Sequence, residues 1–292
     1  MEKPVIIVTG ANGQLGKELR VLAIHYTNFE FRFLAKEDLA INQFQLLRDY
    51  FLTYKPAYCI NCAAYTAVDK AESEKEMAML INGEAPGILA EVCRESGTRF
   101  VHISTDYVFD GTATTPYRET DSTNPVNFYG ATKLAGEESC QKSNPDSIII
   151  RTSWVYSEFG HNFVKTMRRL MKERESLSVV NDQFGSPTYA ADLARCILFI
   201  IAAAEKSEWK PGIYNYSNEG VISWFDFAVA IKEITGAISS VNPIPTSAFP
   251  TPAKRPAWSV LDKQKIKHAY PEVPIPEWQE SLRVCLSHLT LI

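Results

Sequence analysis

Through the first half of the chain, short apolar runs alternate with longer stretches of helical period. "VIIVTG" (5–10), "FEFRFLA" (29–35), "PAYCINCAA" (56–64), "RFVHISTDYVF" (99–109) and "SIIIRTSWVY" (147–156) are mostly apolar, which predicts buried strands. Between them, "GQLGKELRVLAIHY" (13–26), "INQFQLLRDYFLTYK" (41–55), "EAPGILAEVCRESG" (84–97) and "YGATKLAGEESCQKS" (129–143) carry helical spacing. This alternation predicts an α/β fold, a Rossmann-like doubly wound parallel sheet with helices on both faces.

The second half changes character. "NFVKTMRRLMKERE" (162–175) predicts a helix and "GIYNYSN" (212–218) a strand, and prolines then crowd into "NPIPTSAFPTPAKRPAWS" (242–259). That last stretch predicts a loop-rich segment wrapping a surface. The expected organisation is a dinucleotide-binding domain over 1–152 and a smaller, discontinuous substrate domain over most of 153–292. A stretch near 187–216 is expected to return to the first domain. The charged "DKAESEKE" (69–76) reads as a solvated helix start, and Lys165, Arg168, Arg169, Lys172 and Arg174 as an exposed helix face.

Composition narrows the function classes. The chain has 292 residues, 46% of them hydrophobic, and a formal net charge of −4, so it lacks the basic excess of nucleic-acid or anionic-membrane binders. No apolar run is long enough for a membrane span or a signal peptide, which makes a cytoplasmic location the expectation. Cys59 and Cys62 formally spell C-x-x-C, but they fall on a predicted buried strand rather than at a helix N-terminus, where a thiolate would be stabilised. With no second pair for zinc, the six cysteines read as reduced core thiols.

Candidate chemistry begins at the first strand-to-helix turn. Gly10, Gly13 and Gly16 there suit a tight turn, close approach of a pyrophosphate and close helix–strand packing. After the second strand, Lys36 could pair with a 2′-phosphate and favour NADPH, whereas its neighbours Glu37 and Asp38 would favour NADH. The small residues Ala63 and Ala64 end the third strand and leave room for a flat ligand. Ser104, Thr105 and Asp106 end the next. Tyr129 and Lys133 then stand four positions apart on a predicted helix. A tyrosine titrates near pH 10, so it needs help to move protons at neutral pH, and an ammonium one turn away supplies such help.

In this order, the glycine turn, "NCAA", "STDYVF" and Tyr-x-x-x-Lys resemble the extended short-chain dehydrogenase/reductase superfamily. "AAYTAVDKAES", "STDYVFDG", "YGATKLAGE", "RTSWVYSEFGHNFVKTM", "VVNDQFGSPTYAADLA" and "TPAKRP" are similar to the dTDP-4-dehydrorhamnose reductases within it, and the likeness covers nearly the whole chain. The resemblance implies NAD(P)H across the strand ends, held by Gly10, Asn12, Gly13, Gln14, Leu15, Gly16, Lys36, Ala63, Ala64 and Tyr65. It implies Tyr129 as proton donor, Thr105 holding the reacting oxygen, and Lys133 binding the nicotinamide ribose and lowering the Tyr129 pKa. It implies a dTDP-sugar substrate touching Val68, Thr105, Asp106 and Trp154, although Trp154 also reads as a core residue. Asn162, Gln183 and Arg255 are further candidates, Arg255 because a guanidinium binds a diphosphate bidentately.

Two departures stand out. Ala40 replaces an acid that many relatives carry, and a magnesium-bridged dimer seen in some members would need acids of which only Glu18 has a counterpart, since Ala191 and the tail "HLTLI" supply none. No metal is therefore expected, and the assembly is a monomer or a homodimer. Two other readings share these motifs: a reductase or epimerase of another nucleotide-linked 4-keto sugar, and a catalytically silent regulatory subunit.

Overall fold

The sheet at the centre is parallel throughout, and its order explains where a ligand can sit. The computed structural model describes residues 3–206 and 209–290. In chain order it contains β1 (Val5–Thr9), α1 (Gln14–Leu22), β2 (Glu30–Leu34), α2 (Phe44–Tyr54), β3 (Tyr58–Asn61), α3 (Val68–Ala71), α4 (Lys75–Met79), α5 (Ala85–Ser96), β4 (Arg99–Thr105), α6 (Phe128–Ser143) and β5 (Ile148–Thr152). There follow β6 (Val155–Tyr156), α7 (Phe163–Glu173), β7 (Ser176–Val180), β8 (Phe184–Gly185), β9 (Thr188–Tyr189), α8 (Ala190–Ala204), β10 (Gly212–Asn215), β11 (Ile222–Ser223), α9 (Trp224–Thr235), β12 (Ser240–Ile244), α10 (Gln264–Ala269) and α11 (Trp278–Thr290). The main sheet runs β10-β5-β4-β3-β1-β2. The chain leaves β1 for β2 on one side and returns to β3 on the other, so a crevice opens over the carboxyl ends of β1 and β3.

Alternate residues of each strand face opposite cores. Ile6, Val8, Ile60, Val101 and Ile150 pack with Leu19 of α1 and with Leu193, Ile197 and Ile201 of α8. Ile7, Cys59, Phe100 and Ile149 pack on the other face with Leu47 and Phe51 of α2 and Leu89 and Cys93 of α5. A separate cluster joins α7, α9 and α11 through Val164, Met167, Phe227, Ile231 and Leu282. All six cysteines are free thiols, and only Cys62 is not fully buried.

Two segments differ from the sequence expectation, and a third, the charged stretch 69–76, matches it. The apolar run 147–156 is not one strand: β5 stops at Thr152, and Trp154 adopts a left-handed φ of 47° before the short β6, which pairs with β9. The proline-rich tract begins with a regular element, because Pro243 lies within β12. That strand pairs with β7 in a two-stranded ribbon, where a missing N–H can face outward. The charged stretch 69–76 enters α3 and α4, which run through a wide π turn at Leu80–Glu84 into α5.

α6 comes against the backbone of the π turn that leads into α5. A Cβ at Gly136 would strike the backbone oxygen of Asn82. Gly136→Ala is expected to lower stability by about 1–3 kcal/mol through overpacking, measured as a reduced midpoint in urea unfolding.

Candidate active site

At the β1–α1 turn the backbone comes as close to β3 as a glycine permits. Gly10 has φ 66°, and a Cβ there would lie 2.5 Å from the Ala63 nitrogen; one on Gly16 would lie 2.5 Å from the Gly10 oxygen. No side chain caps α1, which starts after Gly13 and leaves its first N–H groups to an anion. Beside this turn lies a cavity of about 460 Å³ lined by Gly10, Asn12, Gly13, Lys36, Ala63 and Tyr65. Ala64 and Ala40 line it too. Asp38 accepts from the Ala35 N–H, whereas Lys36 is exposed at the rim with no ion pair among the described residues. Leu15 belongs to the core, and Gln14 Oε1 accepts from Asn162.

The chemistry-bearing side chains gather at the carboxyl end of β4. Thr105 Oγ1 accepts from the Tyr107 N–H (3.2 Å) and donates to Asp106 Oδ1 (2.9 Å). Asp106 is 3% exposed, and its Oδ2 has no hydrogen-bond partner. Burial pushes its carboxyl up to about 7, against the hydrogen bond from Thr105 that favours the charge. The start of α6 is pinned opposite. Asn127 Oδ1 accepts from the Gly130 N–H, Glu72 accepts from the Phe128 N–H, and Gly130 lets the helix abut the Tyr107 carbonyl.

Tyr129 therefore stands against Thr105 and Tyr107, its ring edge-on to Tyr107 at 5.7 Å. Burial first, then the Asp106 charge, raises its hydroxyl pKa far above the ordinary value, with the Thr105 hydrogen bond opposing. Lys133 is 2% exposed and donates through Nζ to the Ile103 carbonyl at 2.7 Å. Burial lowers its pKa to about 8, with Glu137 acting the other way. With the crevice formed by the chain alone, the Lys133 ammonium is turned to the Ile103 carbonyl, and burial holds the phenol protonated. That suits a proton donor.

The substrate candidates divide. Val68 opens α3, half-buried, and its neighbour Asp69 forms a bidentate pair with Arg255 (3.1 and 2.9 Å). Ser259 Oγ donates to the Phe184 carbonyl and packs against Gly185, whose other neighbour is the Trp154 ring; Trp154 in turn stacks on Trp224 at 3.6 Å. Gln183 is buried and donates to Thr246. Asn162 gives its amide nitrogen to Gln14 Oε1 and the Ser157 carbonyl, and its oxygen caps α7 at the Lys165 N–H.

Sequence reasoning passed over Tyr107, Ser259, Asn61, His102 and Asn82. Asn82, in the π turn, holds both the N–H and the carbonyl of Tyr65 and also reaches Thr132 beside Lys133. The available signal was a polar residue inside an apolar run, as in "CINC", "FVHIS" and "MLING". Glu18 is buried, and desolvation together with Glu158 raises its carboxyl to about 8 while Ser157 donates to it. Among the described residues, no three His, Cys, Asp or Glu side chains are grouped to hold a metal. Leu291 and Ile292 of the tail lie outside the described residues.

A doubly wound sheet with a glycine turn at its switch point, and with Thr105, Tyr129 and Lys133 at its carboxyl edge, defines an oxidoreductase of the extended short-chain dehydrogenase/reductase class. The chain belongs to the RmlD substrate binding domain family, which matches residues 4–291. A dTDP-4-dehydrorhamnose reductase of Burkholderia thailandensis is 42% identical over 97% of this chain and 98% of its own. The crystal structure of a dTDP-4-dehydrorhamnose reductase from Clostridium acetobutylicum is 42% identical with a TM-score of 0.92, covering 98% of this chain and 99% of that one. That of the Bacillus anthracis dTDP-4-dehydrorhamnose reductase in complex with NADP is 37% identical with a TM-score of 0.91, covering 98% and 100%.

Because the folded protein resists charging Asp106, ionisation there costs stability. This contribution is present in full below the unfolded pKa near 4 and is lost as pH rises through about 7. The stability gained by Asp106→Asn is therefore expected to grow between pH 4 and 7 and to level off above, as read by melting temperatures of both proteins across that range.

Proposed function

We propose that the protein reduces the 4-keto group of dTDP-4-dehydro-6-deoxy-L-mannose with NADPH to give dTDP-L-rhamnose, the last step of dTDP-rhamnose biosynthesis. The observation that carries this reading is the convergence of Thr105, Tyr129 and Lys133 beside the Gly10–Gly16 cradle. The relatives and the NADP complex support it from outside. The cradle fits a dinucleotide, since Gly13 lines the crevice and the uncapped start of α1 leaves backbone N–H groups open to a pyrophosphate. Gly10–Gly16, Ala63, Ala64 and Tyr65 would hold it, and the unpaired Lys36 at the rim favours the 2′-phosphate of NADPH over NADH. The bound cofactor supplies the hydride.

The chain's own residues manage the oxygen and the proton. Tyr129, kept protonated by burial, gives its proton to the carbonyl oxygen as that oxygen gains negative charge. Thr105 would hydrogen-bond the same oxygen, and Lys133 would hold the nicotinamide ribose. Val68, Asp106, Trp154 and Gln183 would frame the sugar, and Arg255, once free of Asp69, would meet the diphosphate. Residues 1–152, with 187–216, would form the cofactor domain, and most of 153–292 the substrate domain. No described helix is long and apolar enough to cross a membrane, and we place the enzyme in the cytoplasm.

Loss of reduced-nicotinamide absorbance with enzymatically prepared dTDP-4-dehydrorhamnose tests the assignment. Turnover is expected with NADPH, and Tyr129→Phe is expected to lower kcat by about 10²–10⁴. Lys36→Ala should raise KM for NADPH more than for NADH in the same assay. A folded, NADPH-binding protein that turns over none of this sugar would overturn the substrate assignment.

A further inference from the structure

Behind Lys133 runs a chain of buried polar groups that the reaction above does not use. Thr9 Oγ1 donates to Asn61 Oδ1 at 2.7 Å, and the Ala63 N–H donates to the same oxygen at 3.2 Å. A backbone N–H can only donate, so Asn61 must turn its oxygen toward Ala63. Its amide nitrogen then faces His102 Nδ1 at 3.1 Å. That nitrogen of the ring has to accept, and the ring proton therefore sits on Nε2, which lies 3.5 Å from Lys133 Nζ. His102 is wholly buried, and burial followed by the neighbouring lysine keeps it neutral.

We propose that His102 is a positioning residue for Lys133: locked in one tautomer by Asn61, it presents a fixed N–H to Nζ and so governs how readily the lysine keeps its proton. An ammonium facing the positive end of that N–H is disfavoured, whereas a neutral amine can accept it and still donate to the Ile103 carbonyl. The groups facing Lys133 are few. Glu137 and Cys140 on its own helix favour the ammonium, and Glu137 is itself engaged by Arg151 of β5. His102 and the Ile103 carbonyl face it from β4. Because Ala63 lines the dinucleotide crevice, the chain connects the wall of that crevice to the lysine. Its consequence for catalysis rests on the reductase reading, but the ionisation itself can be read in the ligand-free protein.

The test is an NMR pH titration of the protein labelled with ¹³C at lysine Cε, the Lys133 signal being the one missing from Lys133→Met. In the wild type the midpoint is expected near 8. In His102→Leu it should rise by about one unit, and in His102→Gln, which restores a donor, stay within a few tenths of the wild type. Asn61→Asp keeps an acceptor for Thr9 and Ala63 but favours the other histidine tautomer, and should raise the midpoint without altering the ring. An unchanged midpoint in His102→Leu or in Asn61→Asp, or an equal rise in His102→Leu and His102→Gln, would overturn the proposal.

Discussion

A lysine held inside the protein is the constraint around which the centre of this fold is arranged. Lys133 is 2% exposed, and a buried cation is tolerated only where its donors find acceptors and its charge finds compensation. The Ile103 carbonyl supplies the acceptor, because a strand that ends at the crevice leaves its last carbonyls within reach of α6. Glu137, one turn along, supplies the charge, and Arg151 and Ser104 fix that carboxylate in place. Each of these groups sits on β4, β5 or α6, so any displacement of the helix would expose an unmatched charge.

The placement of α6 follows from contacts that leave little freedom. Gly136 lets it touch the backbone of the π turn at Asn82, Gly130 lets its first turn abut Tyr107, and Asn127 both caps it and donates to the Lys254 carbonyl. Asn82 joins the loop at Tyr65 to Thr132. The cofactor crevice, the tyrosine and the lysine are thereby positioned by the same close approaches.

The last third of the chain completes the site from the other side. Segment 245–263 returns over the first half, where the Tyr117 N–H donates to the Val260 carbonyl, the Trp258 N–H to the Gly111 carbonyl, and Arg255 pairs with Asp69. One of the two left-handed non-glycine residues among the described residues lies where the two parts meet, the other being Lys55 at the end of α2. Trp154 takes a left-handed conformation unusual for a bulky residue, held by stacking on Trp224 and by the space that Gly185 leaves. Buried polar groups cluster at the same boundary, Asp106 with its unpartnered oxygen among them.

Sequence alone determined the elements whose signal is local. Continuous apolar runs mark strands covered on both faces, Gly10 marks the turn at the switch point, and Tyr129 and Lys133 fall on one helix because four residues span about one turn. It could not determine relations set by burial and direction. That Lys133 turns to the Ile103 carbonyl, that Asn162 caps a helix and holds Gln14, and that Trp154 breaks an apolar run all depend on partners distant in the chain. The same holds for Asn61 and His102, ordinary polar letters in apolar strands until β1, β3, β4 and α6 are brought side by side. Local pattern sets which backbone conformation each segment prefers; only packing decides which buried donor meets which acceptor, because the cost of an unpaired polar group is incurred once water has been excluded.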